Sequence, residues 1–63
     1  MTKPVATAVA NNALAWQDRG VALASAGRIA EAAGCFREAV AIDARLAAAH
    51  TNLGLALSTL GAF

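Results

Sequence analysis

The amino-acid sequence predicts an all-α fold with about three helices. Nearly every residue after Asn12 is a good or tolerable helix former, and the one proline in the sequence is Pro4. Small and large apolar side chains recur at spacings of three and four residues, which is typical of helices with one buried face. Glycines and a leucine also recur after 34 residues, which indicates a repeated helical unit.

The N-terminal part of the sequence is predicted to be a tail followed by the first helix. We expect residues 1–12 to be a frayed segment that ends in a helix cap. The side chains of Asn11 and Asn12 can accept hydrogen bonds from the first free N–H groups of a helix. The first helix follows directly and ends near Gly27, because glycine readily adopts the left-handed conformation that terminates helices.

Two further apolar stripes predict the second and third helices. The second helix is expected at about residues 28–42, with Glu31, Arg37 and Glu38 on its solvated face. The third is expected at about residues 46–60. Since the first connection is short and contains a glycine, the first two helices should pack antiparallel as a hairpin.

Composition and charge exclude several classes of protein. The chain has 63 residues and a net charge of +1, so it forms one small unit without the basic surface that nucleic acids or anionic membranes require. Cys35 and His50 are the single cysteine and histidine, which excludes a disulfide framework and a closed zinc site. We expect no cofactor, no metal and no catalytic residue in this segment.

The uncharged stretch of residues 46–63 leaves a membrane-spanning helix as an alternative. We favour an amphipathic helix of a soluble protein, because the stretch contains several polar side chains and its leucines follow one face. The apolar run of residues 5–10 is too short for the core of a secretory leader. A cytoplasmic protein without membrane contact is the simplest prediction.

The repeat is carried by glycines as well as by the abundant alanines. Residues 47–63 align with residues 13–29 after a shift of 34, and the informative identities are Gly20 with Gly54, Leu23 with Leu57, and Gly27 with Gly61. A glycine inside a helix costs about 0.8–1 kcal/mol relative to alanine, so recurrence at one phase indicates a packing requirement. We expect close helix approach at the two glycines inside helices, Gly20 and Gly54, at a point where Ala32 or Ala39 would face them.

This order of residues resembles the tetratricopeptide repeat (TPR) family. The residues that carry the resemblance are Trp16, Gly20, Leu23, Gly27, Ala32, Phe36 and Ala39. The sequence departs from the family at Arg19, where leucine is usual, and at Ala44, where proline is usual. Residues 49–54 look most similar to bacterial repeats resembling the helical array of O-linked N-acetylglucosamine transferases.

The resemblance implies an α-solenoid fragment of one and a half TPR units. Residues 13–46 would form the first unit of two helices, and residues 47–63 the first helix of an incomplete second unit. We expect the last helix to need a cover for its apolar face, either in a longer array or through association of copies. Without proline at Ala44, the second and third helices could also continue into one another and swap between copies.

The resemblance further implies a protein–protein interaction module that binds a peptide, or a neighbouring repeat, along the face of its first helices. The predicted peptide-binding residues, carried over by phase, are Leu14, Gln17, Val21, Ser25, Ala48, Thr51, Asn52, Leu55 and Ser58. Asn52 is the most informative, because an amide can donate to and accept from a peptide backbone. No basic side chain lies on this face, which argues against a carboxylate clamp.

Two other functions remain open from the sequence. The chain could be the N-terminal, substrate-presenting part of a larger glycosyltransferase-like enzyme, or a structural unit that associates with itself. Among the single residues, Phe36 is predicted to lie in the core, and Trp16 either packs there or stacks on a ligand. Cys35 is interpreted as a small buried apolar residue, since no further group accompanies it and His50 as a nucleophile and base.

Overall fold

Three α-helices form the fold: α1 is Val5–Ser25, α2 is Ile29–Ile42 and α3 is Ala47–Leu60. The computed structural model describes the backbone of residues 5–61 and the side chains of residues 12–61. Within those residues every regular element is a helix, which confirms the predicted all-α class and the two later helices to within one residue. The helices α1 and α3 both pack against α2.

The start of α1 differs from the prediction. The helix begins at Val5 rather than Ala13, so Asn11 and Asn12 lie inside it and do not cap its start. Asparagine costs at most about 0.7 kcal/mol relative to alanine within a helix, and the alanine-rich sequence on both sides compensates for two such residues. The remainder of the predicted tail, residues 1–4, lies outside the described residues.

The turn between α1 and α2 is built around Gly27. Its φ angle is +82°, in the left-handed region, and its N–H donates to the carbonyl of Ala24 at 3.0 Å. The N–H of Arg28 donates to the carbonyl of Leu23 at 2.9 Å. These two bonds form a Schellman motif, in which a glycine lets the chain reverse while the last carbonyl groups keep partners. The prediction that α1 ends near Gly27 is confirmed.

The connection between α2 and α3 depends on Asp43 rather than on proline. Asp43 is extended, with φ −138° and ψ +95°, and its Oδ1 accepts from the N–H of Arg45 at 3.1 Å. The N–H of Leu46 donates to the carbonyl of Asp43 at 3.1 Å, and Nε2 of His50 lies 2.7 Å from the carbonyl oxygen of Ala44. An aspartate that bonds its own backbone two residues on forms a turn. The alternative of one continuous helix through Ala44 is therefore wrong.

Phe36 is the centre of the core. It is 2% exposed and belongs to a buried cluster with Ala32, Ala33 and Ala56. Four half-buried residues pack against this cluster: Leu23, Ala24, Ile29 and Leu53. The predicted core position of Phe36 is confirmed, and the cluster joins all three helices because its members come from each of them.

The predicted close approach of helices occurs at Gly20, where α1 meets α2, but opposite a different residue. At Gly54 the prediction is wrong, because a Cβ built there would meet no atom within 4 Å. A Cβ built at Gly20 would lie 2.5 Å from Cε1 and 2.8 Å from Cδ1 of Phe36. The nearest atoms therefore belong to an aromatic ring and not to Ala32 or Ala39. Both alanines are fully buried, so they serve the same interface at other points along α2.

Candidate functional site

A groove opens where the three helices meet. It contains a cavity of about 310 Å³, with walls from α1 and α3 and a floor from α2. The lining residues are Val21, Ala24, Ser25, Ile29, Phe36, Asn52, Leu55, Ala56 and Thr59. Four of the nine sequence-predicted binding residues are among them: Val21, Ser25, Asn52 and Leu55. The structure thus brings together predicted residues from two helices that are about 30 positions apart in sequence.

The other five predicted residues do not line this cavity. Leu14, Ala48, Thr51 and Ser58 are exposed, and Gln17 is half-buried. Conversely, Ile29 and Phe36 line the cavity although neither was among the predicted binding residues. Phe36 is buried in the core cluster, half-buried Ile29 packs against it, and both also line the groove. Helical phase predicts which residues share one face of a helix. It does not predict how much of a core side chain the neighbouring helix covers.

The groove is apolar and uncharged. None of its nine lining residues is ionisable. Val21 and Leu55 are 45% and 62% exposed, which is unusual for large apolar side chains on both walls of one cleft. Apolar surface on two facing walls favours insertion of an apolar side chain, since each buried Å² contributes roughly 25 cal/mol.

Two polar groups in the groove differ in their bonding. The hydroxyl of Thr59 donates to the carbonyl of Leu55 at 2.9 Å, so it is directed toward its own helix. The half-buried amide of Asn52 has no hydrogen-bond partner among the described side chains and backbone. Because an amide carries both donors and an acceptor, Asn52 can bond a peptide N–H and C=O together.

Gln17 lies on α1, one turn before Val21. Its Oε1 is buried and has no hydrogen-bond partner within the described residues. A buried acceptor without a partner costs about 1–3 kcal/mol of stability. The unpaired oxygen of Gln17, one of the predicted binding residues, therefore lowers the free energy of unfolding.

Trp16 borders a second cavity, of about 260 Å³, together with Arg19 and Ile42. Cζ of Arg19 lies 5.7 Å from the centroid of the Trp16 ring, within the range of a cation–π contact. Arg19 stands where the family usually has leucine, and its guanidinium lies over the indole ring. Trp16 is half-buried, which agrees with the packing alternative of the sequence analysis.

Ionisable groups form no further constellation within the described residues. No group of three histidine, cysteine or carboxylate side chains there is placed to hold a metal ion. Cys35 is a buried free thiol, while the ring of His50 is bonded to the backbone of Ala44. Glu31, Arg37 and Glu38 are exposed on α2, as predicted. None of the helices in residues 5–61 combines the length and the apolar character that a membrane crossing requires.

Comparison with known families identifies the repeat. The profile described as TPR repeat matches residues 20–61, about two thirds of the chain. The protein therefore belongs to the TPR family, whose repeats are in general protein-interaction modules. The match begins at the glycine that contacts Phe36 and ends at Gly61, which has a φ of +69° and terminates α3.

Searches of curated proteins and of solved structures returned no match. The finer resemblance to bacterial arrays like those of O-linked N-acetylglucosamine transferases stays a prediction.

Proposed function

We propose that this protein binds a peptide segment of another protein in the groove between α1 and α3. The observation that carries the proposal is the uncharged cavity of about 310 Å³ with exposed Val21 and Leu55 on its opposite walls. Membership in the TPR family supports a protein partner in general. The uncharged lining of the groove indicates that the contact with this partner is mainly apolar.

The bound segment is expected to insert one large apolar side chain into the cavity. A leucine, isoleucine or phenylalanine side chain would contact the ring edge of Phe36 and displace water from Val21 and Leu55. The amide of Asn52 would then bond the peptide backbone next to the inserted residue, which fixes the orientation of the peptide. A charged anchor is disfavoured, because no groove residue would pair with it.

A display library of random 12-residue peptides tests this proposal. Selected peptides are expected to share a large apolar residue, and they should bind the Leu55→Asp protein at least about tenfold more weakly, since a carboxylate in the wall opposes apolar contact. Leu60→Asp is the matched control: Leu60 is also an exposed leucine of α3, but it lies outside the cavity. It should change the affinity less than about twofold. Two results would refute the groove as the binding site. One is selection of acidic or basic peptides whose binding depends on salt, and the other is equal affinity of the Leu55→Asp and Leu60→Asp proteins for the selected peptides.

A further inference from the structure

The second cavity lies on a different side of α1 from the peptide groove. Its volume is about 260 Å³, and its lining residues are Asn12, Ala15, Trp16, Arg19 and Ile42. Arg19 lines this cavity and Val21 lines the groove, and residues two positions apart point about 160° apart around a helix. The two cavities share no lining residue, so a ligand in one leaves the other open.

Arg19 gives the second cavity a charge that the groove lacks. It is exposed and forms no ion pair within the described residues. Asp18 is exposed and points about 100° away from Arg19 around α1. Asp43 follows Ile42 in the sequence, but its carboxylate accepts the N–H of Arg45 at 3.1 Å. One guanidinium without a carboxylate partner favours a ligand with one negative charge.

The contact between Arg19 and Trp16 leaves the hydrogen-bond donors of Arg19 available. Cζ of Arg19 lies over the indole ring, 5.7 Å from its centroid. The guanidinium is attracted to the ring through its charge, whereas its five N–H donors lie in its own plane. Two parallel N–H groups match the two oxygens of a carboxylate. The contact also restricts the Arg19 side chain before a ligand binds, which lowers the entropy cost of binding.

The other walls of the second cavity favour an apolar body on this ligand. Trp16 and Ile42 are half-buried, so each leaves part of an apolar side chain at the cavity. An aromatic ring beside the indole gains a ring–ring contact as well as burial of apolar area. Inorganic phosphate would gain neither. Since sites for drug-sized ligands measure roughly 300–1,000 Å³, the smaller cavity limits the body to about one ring.

We propose that the second cavity binds a small organic acid with one carboxylate and one aromatic ring. The carboxylate accepts two hydrogen bonds from Arg19, and the ring packs against Trp16 and Ile42. Asn12 lies one turn before Trp16, and its amide can donate to a carboxylate oxygen. The site depends on Arg19, where the TPR family usually has leucine, so it is a property of this chain and not of the repeat in general.

Fluorescence of Trp16, the single tryptophan of the sequence, reports directly on this cavity. The probe is 3-phenylpropionate, added to the 63-residue chain at constant ionic strength and excited where only indole absorbs. We expect a saturable change with a Kd on the order of 1–10 mM, because one exposed ion pair and one ring contribute little binding energy. Propionate, which lacks the ring, and 3-phenylpropionamide, which lacks the charge, should each bind at least about fivefold more weakly.

Two matched variants locate the anion. Arg19→Leu introduces the usual residue of the family and should weaken binding of 3-phenylpropionate at least about fivefold. Arg37→Leu removes the same charge from an exposed arginine of α2 outside the cavity and should change the Kd less than about twofold. Leu55→Asp should also leave the Kd unchanged, so failure of this proposal and failure of the peptide-groove proposal are distinguishable. Circular dichroism checks that each variant keeps its helix content.

Any of four results would overturn the proposal. The first is no saturable change up to roughly 50 mM 3-phenylpropionate. The second is equal binding of the acid and its amide, a comparison that uses the wild-type chain and so does not require Arg19→Leu to fold. The third is equal affinity of the Arg19→Leu and Arg37→Leu chains for the acid. The fourth is binding of the blocked dipeptide acetyl-aspartyl-phenylalaninamide at least about tenfold more tightly than the acid, which would assign the site to a protein partner.

Discussion

Gly20 of α1 and Phe36 of α2 are in close contact, and the Phe36 ring also lines the groove. A Cβ at Gly20 would lie 2.5 Å from Cε1 of the Phe36 ring, closer than two carbon atoms approach without strain. The ring in turn supports the floor of the peptide groove. A change at Gly20 is therefore expected to act on the fold and, through Phe36, on the groove.

Gly20→Ala should destabilise the protein. The added methyl group overlaps the ring, and overpacking of this kind costs about 1–3 kcal/mol. Alanine regains about 1 kcal/mol through its better helix propensity, so the net loss should be smaller than the overlap alone suggests. Urea denaturation followed by circular dichroism measures the difference as a lower midpoint at unchanged slope.

Gly34→Ala is the control for that experiment. Gly34 also lies within a helix, but a Cβ there meets nothing within 4 Å. The substitution should raise the free energy of unfolding by about 0.8–1 kcal/mol, the difference in helix propensity. If Gly20→Ala raised the free energy of unfolding by the same amount as Gly34→Ala, the methyl group would not clash with Phe36.

A double substitution tests whether the overlap is specific to the ring. Phe36→Leu alone should destabilise, because it leaves space in the core next to Ala32 and Ala56. Combined with Gly20→Ala it should cost less than the sum of the two, since the methyl group then occupies part of that space. Residues in contact commonly couple by about 0.5–3 kcal/mol. Additive effects in urea denaturation would contradict direct contact between the two positions.

Helix propensity, apolar spacing and the short connection with Gly27 were sufficient to predict three helices and the hairpin. The recurrence of glycine after 34 residues predicted the close approach at Gly20, but wrongly predicted one at Gly54 as well. It was not sufficient to identify Phe36 as the facing residue, because the contact depends on the offset between two helices and not on phase within one. The start of α1 was misplaced at Ala13, since the capping ability of Asn11 and Asn12 was given more weight than the helix propensity of the flanking alanines.

The lining of the groove was likewise predicted only in part. The resemblance to the TPR family, applied by helical phase, placed four lining residues of the cavity on the binding face: Val21, Ser25, Asn52 and Leu55. The part played by Ile29 could not be predicted from phase, because it depends on how far α3 leaves the core side chains of α2 uncovered. Thr59 lines the cavity in place of the predicted Ser58, which lies about 100° away around α3.

Ala44→Pro should stabilise the protein. Ala44 is the second residue of the turn closed by the bond from Leu46 N–H to the Asp43 carbonyl, a position where proline is favoured. Asp43 is already extended, as a residue before proline must be. The N–H of Ala44 donates no hydrogen bond within the described residues. Proline reduces the conformational freedom of the unfolded chain, which should raise the free energy of unfolding by about 0.4–1 kcal/mol. Thermal or urea denaturation measures this difference.

Ala41→Pro provides the contrast for this prediction. Ala41 is exposed like Ala44, but it lies inside α2, where proline removes a helical hydrogen bond and costs about 3 kcal/mol. A melting temperature that falls for both variants would show that the chain around Ala44 is not a turn.

Gln17→Met should stabilise the protein by about 1 kcal/mol. Oε1 of Gln17 is buried without a partner in the described part of the chain, and methionine has nearly the same shape without the polar oxygen. Gln17→Glu is the matched control and should destabilise, because a carboxylate at that point would be buried without a cation. Urea denaturation at neutral pH measures both. If methionine instead lowered the midpoint as much as glutamate does, the Gln17 amide would have to be hydrogen-bonded in the folded protein, contrary to the unpaired oxygen of the structure.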